Sequence, residues 1–302
     1  IGAYIIEAAG MGDKLTIFSN MVVFSSYAMQ VIMSFLMLSI IFVMYPRAQV
    51  SAQRIREVLD TAPTMRDGTE TRGDGTEGEV VFDHVSFRYP GGDGYVLEDI
   101  SFTAHKGETV AFIGATGSGK SSLVNLIPRL YDVSEGSVRV DGVDVRDYDR
   151  EALRNKLGYV SQKAVLFAGD IRGNITLGEN GKGPQDGETV DKALSIAQAS
   201  EFVDNLLDGV NAPVAQGGAN FSGGQKQRLS IARAVARKPE IYIFDDSFSA
   251  LDYKTDRVLR ERLKTETAGI TTLIVAQRIG TIMDADRIVV LDDGKAVGIG
   301  TH

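Results

Sequence analysis

Between Leu15 and Tyr45 the chain carries no Asp, Glu, Lys or Arg. As a helix rising about 1.5 Å per residue, that stretch is about 45 Å long. The hydrocarbon core of a bilayer is roughly 30 Å thick, so the run is more than long enough to cross it. Met, Phe, Ile and Val dominate, with Ser, Asn and Gln interspersed. A secretory signal does not fit, because its apolar region runs to only about 7–15 residues and ends in a cleavage site. The competing reading is a buried helix of a soluble protein; the composition favours a membrane span. Arg47, Arg54 and Arg56 follow it, and cationic residues beside a span mark its cytoplasmic end. The expected location is therefore a cell membrane, with the rest of the chain in the cytoplasm.

Before the span, Ile1 to Ala9 is apolar except for Glu7, and Gly10 to Lys14 reads as a tight external turn. The start looks like the inside of a helix and the end at Thr301-His302 is abrupt, so the chain is expected to be a piece of a longer protein. The formal net charge of -8 argues against a nucleic-acid partner, since a duplex binder needs a basic face. The absence of cysteine excludes disulfides and thiolate metal sites.

Helical spacing continues from Ala48 to Leu59, and Pro63 stops it. Residues 66–78 are polar and glycine-rich, a linker by composition. The expected division is thus a membrane segment over 1–60 (span 15–45), a linker over 61–78, and a cytosolic domain over 79–302. Strand alternation begins at Glu79, turns at Pro90-Gly91-Gly92, resumes over Val96–Phe102, and returns at Ser137–Val140 before Asp141-Gly142. Residues 164–236 read mostly helical. Apolar strands follow at Ile241–Phe244, Thr272–Val275 and Arg287–Leu291, and Asp293-Gly294 turns a last hairpin. This order predicts an α/β core with a β-rich front and a helical insertion.

A strand at Thr109–Ile113 runs directly into Gly114-Ala115-Thr116-Gly117-Ser118-Gly119-Lys120-Ser121, with a helix expected over Ser122–Leu130. This is G-x-x-x-x-G-K-[ST] in a strand–loop–helix context. Gly114, Gly117 and Gly119 let backbone N–H groups, with those of Thr116, Ser118 and Ser122, turn inward around phosphate oxygens. Lys120 would reach the β- and γ-phosphates of ATP, and Ser121 would ligate Mg²⁺. A second strand, Ile241–Asp245, ends in an acid able to hold that hard cation, alone or through water. Asp246 follows it.

The chain also contains Ser222-Gly223-Gly224-Gln225, which other phosphate-loop proteins lack. Together these motifs resemble the ATP-binding cassette family, and the upstream helix resembles its exporter branch. The resemblance covers nearly the whole chain: the last membrane helices, then a nucleotide-binding domain cut short at its C-terminus. It implies a sandwich of two such domains around two ATPs, in which Ser222 to Gln225 contact the γ-phosphate held by the opposite subunit. In that sandwich a helix from Gln225 to Arg237, ending before Pro239, points its positive end at that phosphate. It places Tyr89 where an aromatic stacks on adenine, although on sequence alone Tyr89 serves equally as a strand-end packing residue. Gln162, in Tyr159-Val160-Ser161-Gln162, falls where a glutamine touches Mg²⁺ or water. Ser249 to Asp252 match the loop through which subunits contact each other's sites.

Two departures fall on hydrolysis. The family's general base is a Glu, and here Asp246 is one methylene short. A base must lie within about 2.6–3.2 Å of its proton or act through a water. The family's switch histidine is replaced by Gln277, whose neutral amide can hydrogen-bond a phosphate but carries no proton. Gln216 likewise replaces a Glu frequent in exporters. The resemblance implies one subunit of a heterodimeric exporter: a slow site of its own and an intact signature lent to a partner. Two alternatives stand beside it, a homodimeric exporter with a slow Asp base and a non-transporting ATP-binding protein that signals by dimerising. The cargo expected is a hydrophobic small molecule, lipid or peptide. Met29, Met33 and Met37 recur every four residues beside Gln30 and Ser34, a stripe that suits either apolar cargo or packing on neighbouring helices and lipid.

Overall fold

The computed structural model describes residues 2–8, 10–178, 183 and 185–302. Two compact units divide it, Ile1–Thr64 and Met65–His302.

In the first unit, α1 (Gly2–Ala8) and α2 (Lys14–Leu59) are joined by a turn that closes with the Asp13 N–H on the Gly10 carbonyl at 3.0 Å. α2 runs 46 residues and includes Pro46 just after the uncharged stretch. Its most apolar window has a mean hydropathy of 2.1, long and apolar enough to cross a membrane, and none of its residues is buried within the chain. Ser34 and Ser39 donate their hydroxyls back to the Gln30 and Phe35 carbonyls at 2.8 and 2.9 Å. Such bonds satisfy the polar groups inside the helix, as an apolar surrounding requires.

In the second unit, β1 (Val80–Phe87) and β2 (Leu97–Ala104) form a hairpin, β3 (Thr109–Gly114) leads into α3 (Lys120–Leu126), and β4 (Glu135–Val140) pairs with β5 (Val143–Asp144). α4 (Arg150–Asn155) precedes β6 (Leu157–Val160). The insertion holds β7 (Gly169–Asp170), α5 (Ile171–Ile175), α6 (Gly187–Ile196), α7 (Ser200–Asp204), β8 (Pro213–Val214) and α8 (Gly223–Ala236). The core closes with β9 (Ile241–Asp245), α9 (Tyr253–Glu266), β10 (Thr271–Val275), α10 (Ile279–Ile282), β11 (Arg287–Asp292) and β12 (Lys295–Gly300).

An antiparallel sheet of order β2-β1-β4-β5 faces a six-stranded sheet of order β12-β11-β3-β10-β9-β6. The larger sheet is parallel except for the β11–β12 hairpin. β9 lies between β10 and β6, and all its residues are buried, alternating between two cores. Ile241 and Ile243 join Phe82, Phe102, Val110 and Leu123 between the sheets, whereas Tyr242 and Phe244 join the helical side with Leu229, Ala232 and Leu259. Period-two burial on both faces is what a covered parallel strand demands.

Three local boundaries differ from expectation. α3 starts at Lys120 and ends at Leu126, because Pro128 cannot donate into the helix and Arg129 adopts φ 51°. α8 starts at Gly223 rather than Gln225, because Ser222 and Gln225 form a reciprocal cap at its start. The stretch 164–236 is less helical than its composition suggests, since β7 and β8 pair across it; residues 179–182 and 184 of that stretch lie outside the described residues.

The glycine-rich segment 66–78 is tied down along its length. Asp67 pairs with Arg150, the Gly68 N–H donates to the Tyr148 carbonyl at 3.0 Å, and the Gly75 N–H donates to the Asp141 carbonyl at 2.7 Å. The Gly78 N–H reaches the buried Asp141 carboxylate at 2.6 Å. That carboxylate also accepts from Lys156, which donates to Glu240 as well, at 2.7 and 2.8 Å. Burial works against the Lys156 charge, but the two carboxylates outweigh it and raise its pKa.

Candidate functional site

The site gathers at the carboxyl ends of adjacent parallel strands, the usual location of ligands in open α/β sheets. β3 ends in the glycine loop, β6 ends just before Gln162, β9 ends in Asp245 and Asp246, and β10 ends just before Gln277. Residues distant in sequence meet because β6, β9, β10 and β3 are neighbours in that order.

The loop depends on glycine at Gly114, where a Cβ would collide with the Leu291 carbonyl and Ser118 Oγ, and at two further positions. Gly117 and Gly119 have φ of 88° and 94°, values that side chains of L-residues rarely adopt. A Cβ at Gly119 would lie 2.7 Å from Leu97 Cδ2 and 2.8 Å from the Val96 carbonyl, whereas the space at Gly117 is open. Gly119 caps α3 without a side-chain acceptor, so the first N–H groups of the helix are not capped by a neighbour. Lys120 folds over the loop and donates to the Gly114 and Ala115 carbonyls at 2.8 and 2.7 Å and to Ser118 Oγ at 3.2 Å. Burial lowers its pKa, and Asp246 and Asp245 oppose that shift, which places both carboxylates within the field of the ammonium.

Ser121 donates its hydroxyl to Asp245 Oδ1 at 2.8 Å. Burial raises the Asp245 carboxyl above its ordinary value; the Ser121 bond opposes this and the Asp246 charge reinforces it. A buried carboxylate in that condition gains from a nearby cation. The hard oxygens of Ser121 and Asp245 are the donor set that Mg²⁺ prefers, and the loop with Lys120 is a cradle for phosphate oxygens. The residues present therefore fit MgATP.

Asp246 is held differently. Its backbone lies in the left-handed region at φ 47°, and its N–H donates to the Val275 carbonyl at 3.0 Å. Its Oδ2 accepts from Gln277 Nε2 at 2.8 Å and from Gln162 Nε2 at 3.3 Å. Gln162 thus sits on Asp246, while Ser121 and Asp245 pair with each other. Tyr89 joins the cluster through its hydroxyl, 2.8 Å from Ser122 Oγ, and its ring packs edge-on against Phe87 and Tyr131 at 4.9 and 5.1 Å. The two readings of Tyr89 coexist in one geometry: it packs at a strand end and borders the loop.

The signature bonds within itself. Ser222 Oγ accepts from the Gln225 N–H at 3.3 Å, and Gln225 Oε1 accepts from the Ser222 N–H at 2.9 Å. Ser222 and Gly223 are exposed. Gly224 faces the loop after Asp246: a Cβ there would lie 3.2 Å from the Ala250 carbonyl. Asp252 caps α9 by accepting from the Thr255 N–H at 3.0 Å, which holds its carboxyl below the usual range. Gln216 is exposed.

Two residues at the site went unnoticed in sequence. Tyr159 lies on β6, where its hydroxyl donates to Asn125 Oδ1 at 2.8 Å; burial, then the Asp245 charge, pushes its pKa up. Arg278 follows Gln277 and grips the Ser249 carbonyl at 3.0 Å. The only sequence signal for either was its place next to a motif residue.

The α/β domain that follows a long apolar helix in sequence, with this loop and signature, defines a nucleotide-binding domain of the ATP-binding cassette class. Residues 97–249 match the ABC transporter family, and the chain belongs to it. It is 46% identical over 285 residues to an uncharacterized ABC transporter ATP-binding protein of Mycobacterium tuberculosis, covering 94% of this chain and 49% of that protein. It is 40% identical over 253 residues to the ATP-dependent lipid A-core flippase of Bordetella avium, covering 84% of this chain and 42% of that one. The chain thus spans about half the length of the curated relatives it matches. A bacterial Atm1-family ABC exporter, solved with ATP bound, superposes with a TM-score of 0.81 at 31% identity, over 100% of this chain and 52% of that one.

Proposed function

We propose that this chain is the ATP-binding subunit of a membrane exporter whose own site hydrolyses slowly and whose signature completes the site of a second, more active subunit. The observation that carries the asymmetry is the Asp246 carboxylate, whose Oδ2 is held by the amides of Gln277 and Gln162 at 2.8 and 3.3 Å. Neither amide can accept and pass on a proton as an imidazole can. The shorter acid is also withdrawn by about 1.5 Å, one carbon–carbon bond, and a misplacement of about 1 Å costs on the order of 10²-fold.

In this reading the backbone donors from Gly114 to Ser122 and the Lys120 ammonium bind and orient the phosphates, and Tyr89 borders the base. Ser121 and Asp245 would hold Mg²⁺, with Gln162 at its edge, and the cation would neutralise charge on the β- and γ-phosphates. Asp246 orients the attacking water without drawing its proton efficiently, while Gln277 fixes that carboxylate. Ser222, Gly223, Gly224 and Gln225 present the start of α8, with its positive end, to nucleotide on the other subunit, and Asp252 shapes the contact loop. α2 lies in the bilayer with its arginine-bearing end in the cytoplasm. The cargo class is hydrophobic: small molecule, lipid or peptide. The flippase name of the Bordetella relative supports a lipid among these.

The test uses the full-length protein in lipid nanodiscs, alone and with its second subunit. Alone it should retain bound ATP with little phosphate release; the pair should turn over and respond to apolar cargo. Rapid turnover by the full-length chain alone would refute the asymmetry and leave the homodimeric exporter standing.

A further inference from the structure

We propose that Arg278 is a positioning residue that couples this chain's two half-sites, the one around Lys120 and Asp246 and the one around Ser222 to Gln225. The proposal rests on the asymmetric reading above. Arg278 directly follows Gln277, which donates to Asp246 Oδ2 at 2.8 Å. Its guanidinium donates from Nη2 to the Ser249 carbonyl at 3.0 Å and from Nη1 to the Leu251 carbonyl at 3.4 Å. Ser249 in turn donates its hydroxyl to the Asp246 carbonyl at 2.9 Å. A closed ring results: the Asp246 carboxylate, the Gln277 amide, the peptide to Arg278, the guanidinium, Ser249, and the Asp246 backbone.

The same loop touches the signature from its other side. The Ala250 carbonyl would lie 3.2 Å from a Cβ at Gly224, and Leu251 Cδ2 would lie 3.7 Å from it. Leu251 is itself buried against the helical core. Consecutive carbonyls thus point alternately, those of Ser249 and Leu251 to Arg278 and that of Ala250 toward Gly224. A planar fork can hold two carbonyls in fixed relation, which a lysine ammonium on its flexible stem cannot. A displacement of Gln277 when the γ-phosphate side of its own site changes is passed to the adjacent Arg278, and through its two carbonyl contacts to the loop that faces Gly224.

The test is a coupling measurement on the assembled full-length pair. Lys120→Ala removes the phosphate contact at this chain's own site, and its effect on phosphate release by the pair is compared in the wild-type and Arg278→Ala backgrounds. Couplings between sites commonly reach about fivefold or more. Lys120→Ala is expected to slow turnover about fivefold in the wild-type background and less than twofold with Arg278→Ala, while Arg278→Ala leaves the Kd of a fluorescent ATP analogue at the Lys120 site within about twofold. Arg278→Lys, which keeps the charge and loses the fork, should uncouple equally. Equal effects of Lys120→Ala in both backgrounds, full coupling in Arg278→Lys, or loss of analogue binding together with melting temperature would each overturn the proposal. If the wild-type chain binds no analogue that Lys120→Ala abolishes, the reading of the site itself fails; binding without coupling sinks the role of Arg278 alone.

Discussion

Lengthening Asp246 tests the idea that the acid, and not the phosphate loop, limits hydrolysis. Asp246→Glu carries the carboxylate about 1.5 Å farther, one carbon–carbon bond. If misplacement of about 1 Å costs roughly 10²-fold, correcting it is worth about 2.7 kcal/mol at about 1.36 kcal/mol per decade. Two features reduce the gain from the single change. Asp246 lies at φ 47°, where Asp is tolerated better than Glu, so the longer residue costs about 1–2 kcal/mol of backbone strain. At about 2–4 °C per kcal/mol for a domain of this size, the melting temperature should fall by a few degrees. The new carboxylate also meets Gln277, whose amide now sits 2.8 Å from the Asp oxygen. We therefore expect about a tenfold rise in turnover for Asp246→Glu and about 10²-fold for Asp246→Glu with Gln277→His. The assay is steady-state phosphate release by the full-length protein assembled with itself at saturating MgATP, where each copy brings an intact Ser222–Gln225 segment. Turnover within twofold of wild type in both variants, with ATP still bound, would refute the reasoning.

Three further outcomes follow from the geometry. Because burial raises the Asp245 pKa, its charge subtracts stability above the ordinary carboxylate range, a penalty relieved as pH falls through the raised value. Asp245→Asn should thus raise the melting temperature at pH 7 without nucleotide, by a margin that shrinks on acidification, while abolishing the extra stabilisation by MgATP; differential scanning fluorimetry reads both. Gly119→Ala, whose Cβ would meet Leu97 Cδ2 at 2.7 Å and the Val96 carbonyl at 2.8 Å, should cost about 1–3 kcal/mol and weaken ATP binding, checked by denaturant titration and a fluorescent-nucleotide Kd. Asp141→Ala leaves Lys156 with Glu240 alone and the Gly78 N–H without its carboxylate. Breaking a buried pair costs about 3–5 kcal/mol, and hydrogen exchange should accelerate across residues 66–78 before the rest of the domain.

The phosphate loop was readable because its chemistry is local: strand, glycines, lysine and hydroxyl occupy consecutive positions, and Gly117 and Gly119 take the positive φ that their residue type permits. The inner strands were readable because burial on both faces leaves runs such as Ile241–Phe244 with no charged residue. What required coordinates was non-local or reciprocal. Composition marks residues 66–78 as polar and glycine-rich, yet Asp141, Tyr148 and Arg150, far along the chain, hold that segment. The early start of α8 is encoded in Ser222 and Gln225, a serine with a glutamine three residues on, residues that serve at once as family signature and as reciprocal cap. The β7–β8 pairing joins two-residue strands, too short for periodicity to register.

The two departures from the family pattern are one change in geometric terms. A shortened acid alone would draw its carboxylate back toward β9 and leave a hydrogen-bonding gap at the switch position. Gln277 closes that gap with an N–H donor at 2.8 Å, and Gln162 donates to the same oxygen at 3.3 Å. The amides that fix the acid in place therefore also occupy the oxygen nearest the switch position. Restoring Glu without His leaves an amide pressed against a longer acid. Restoring His without Glu leaves an imidazole facing a carboxylate it reaches less well. Each single reversion should consequently recover less than its share, and the pair more than their sum, because residues sharing one oxygen do not act additively.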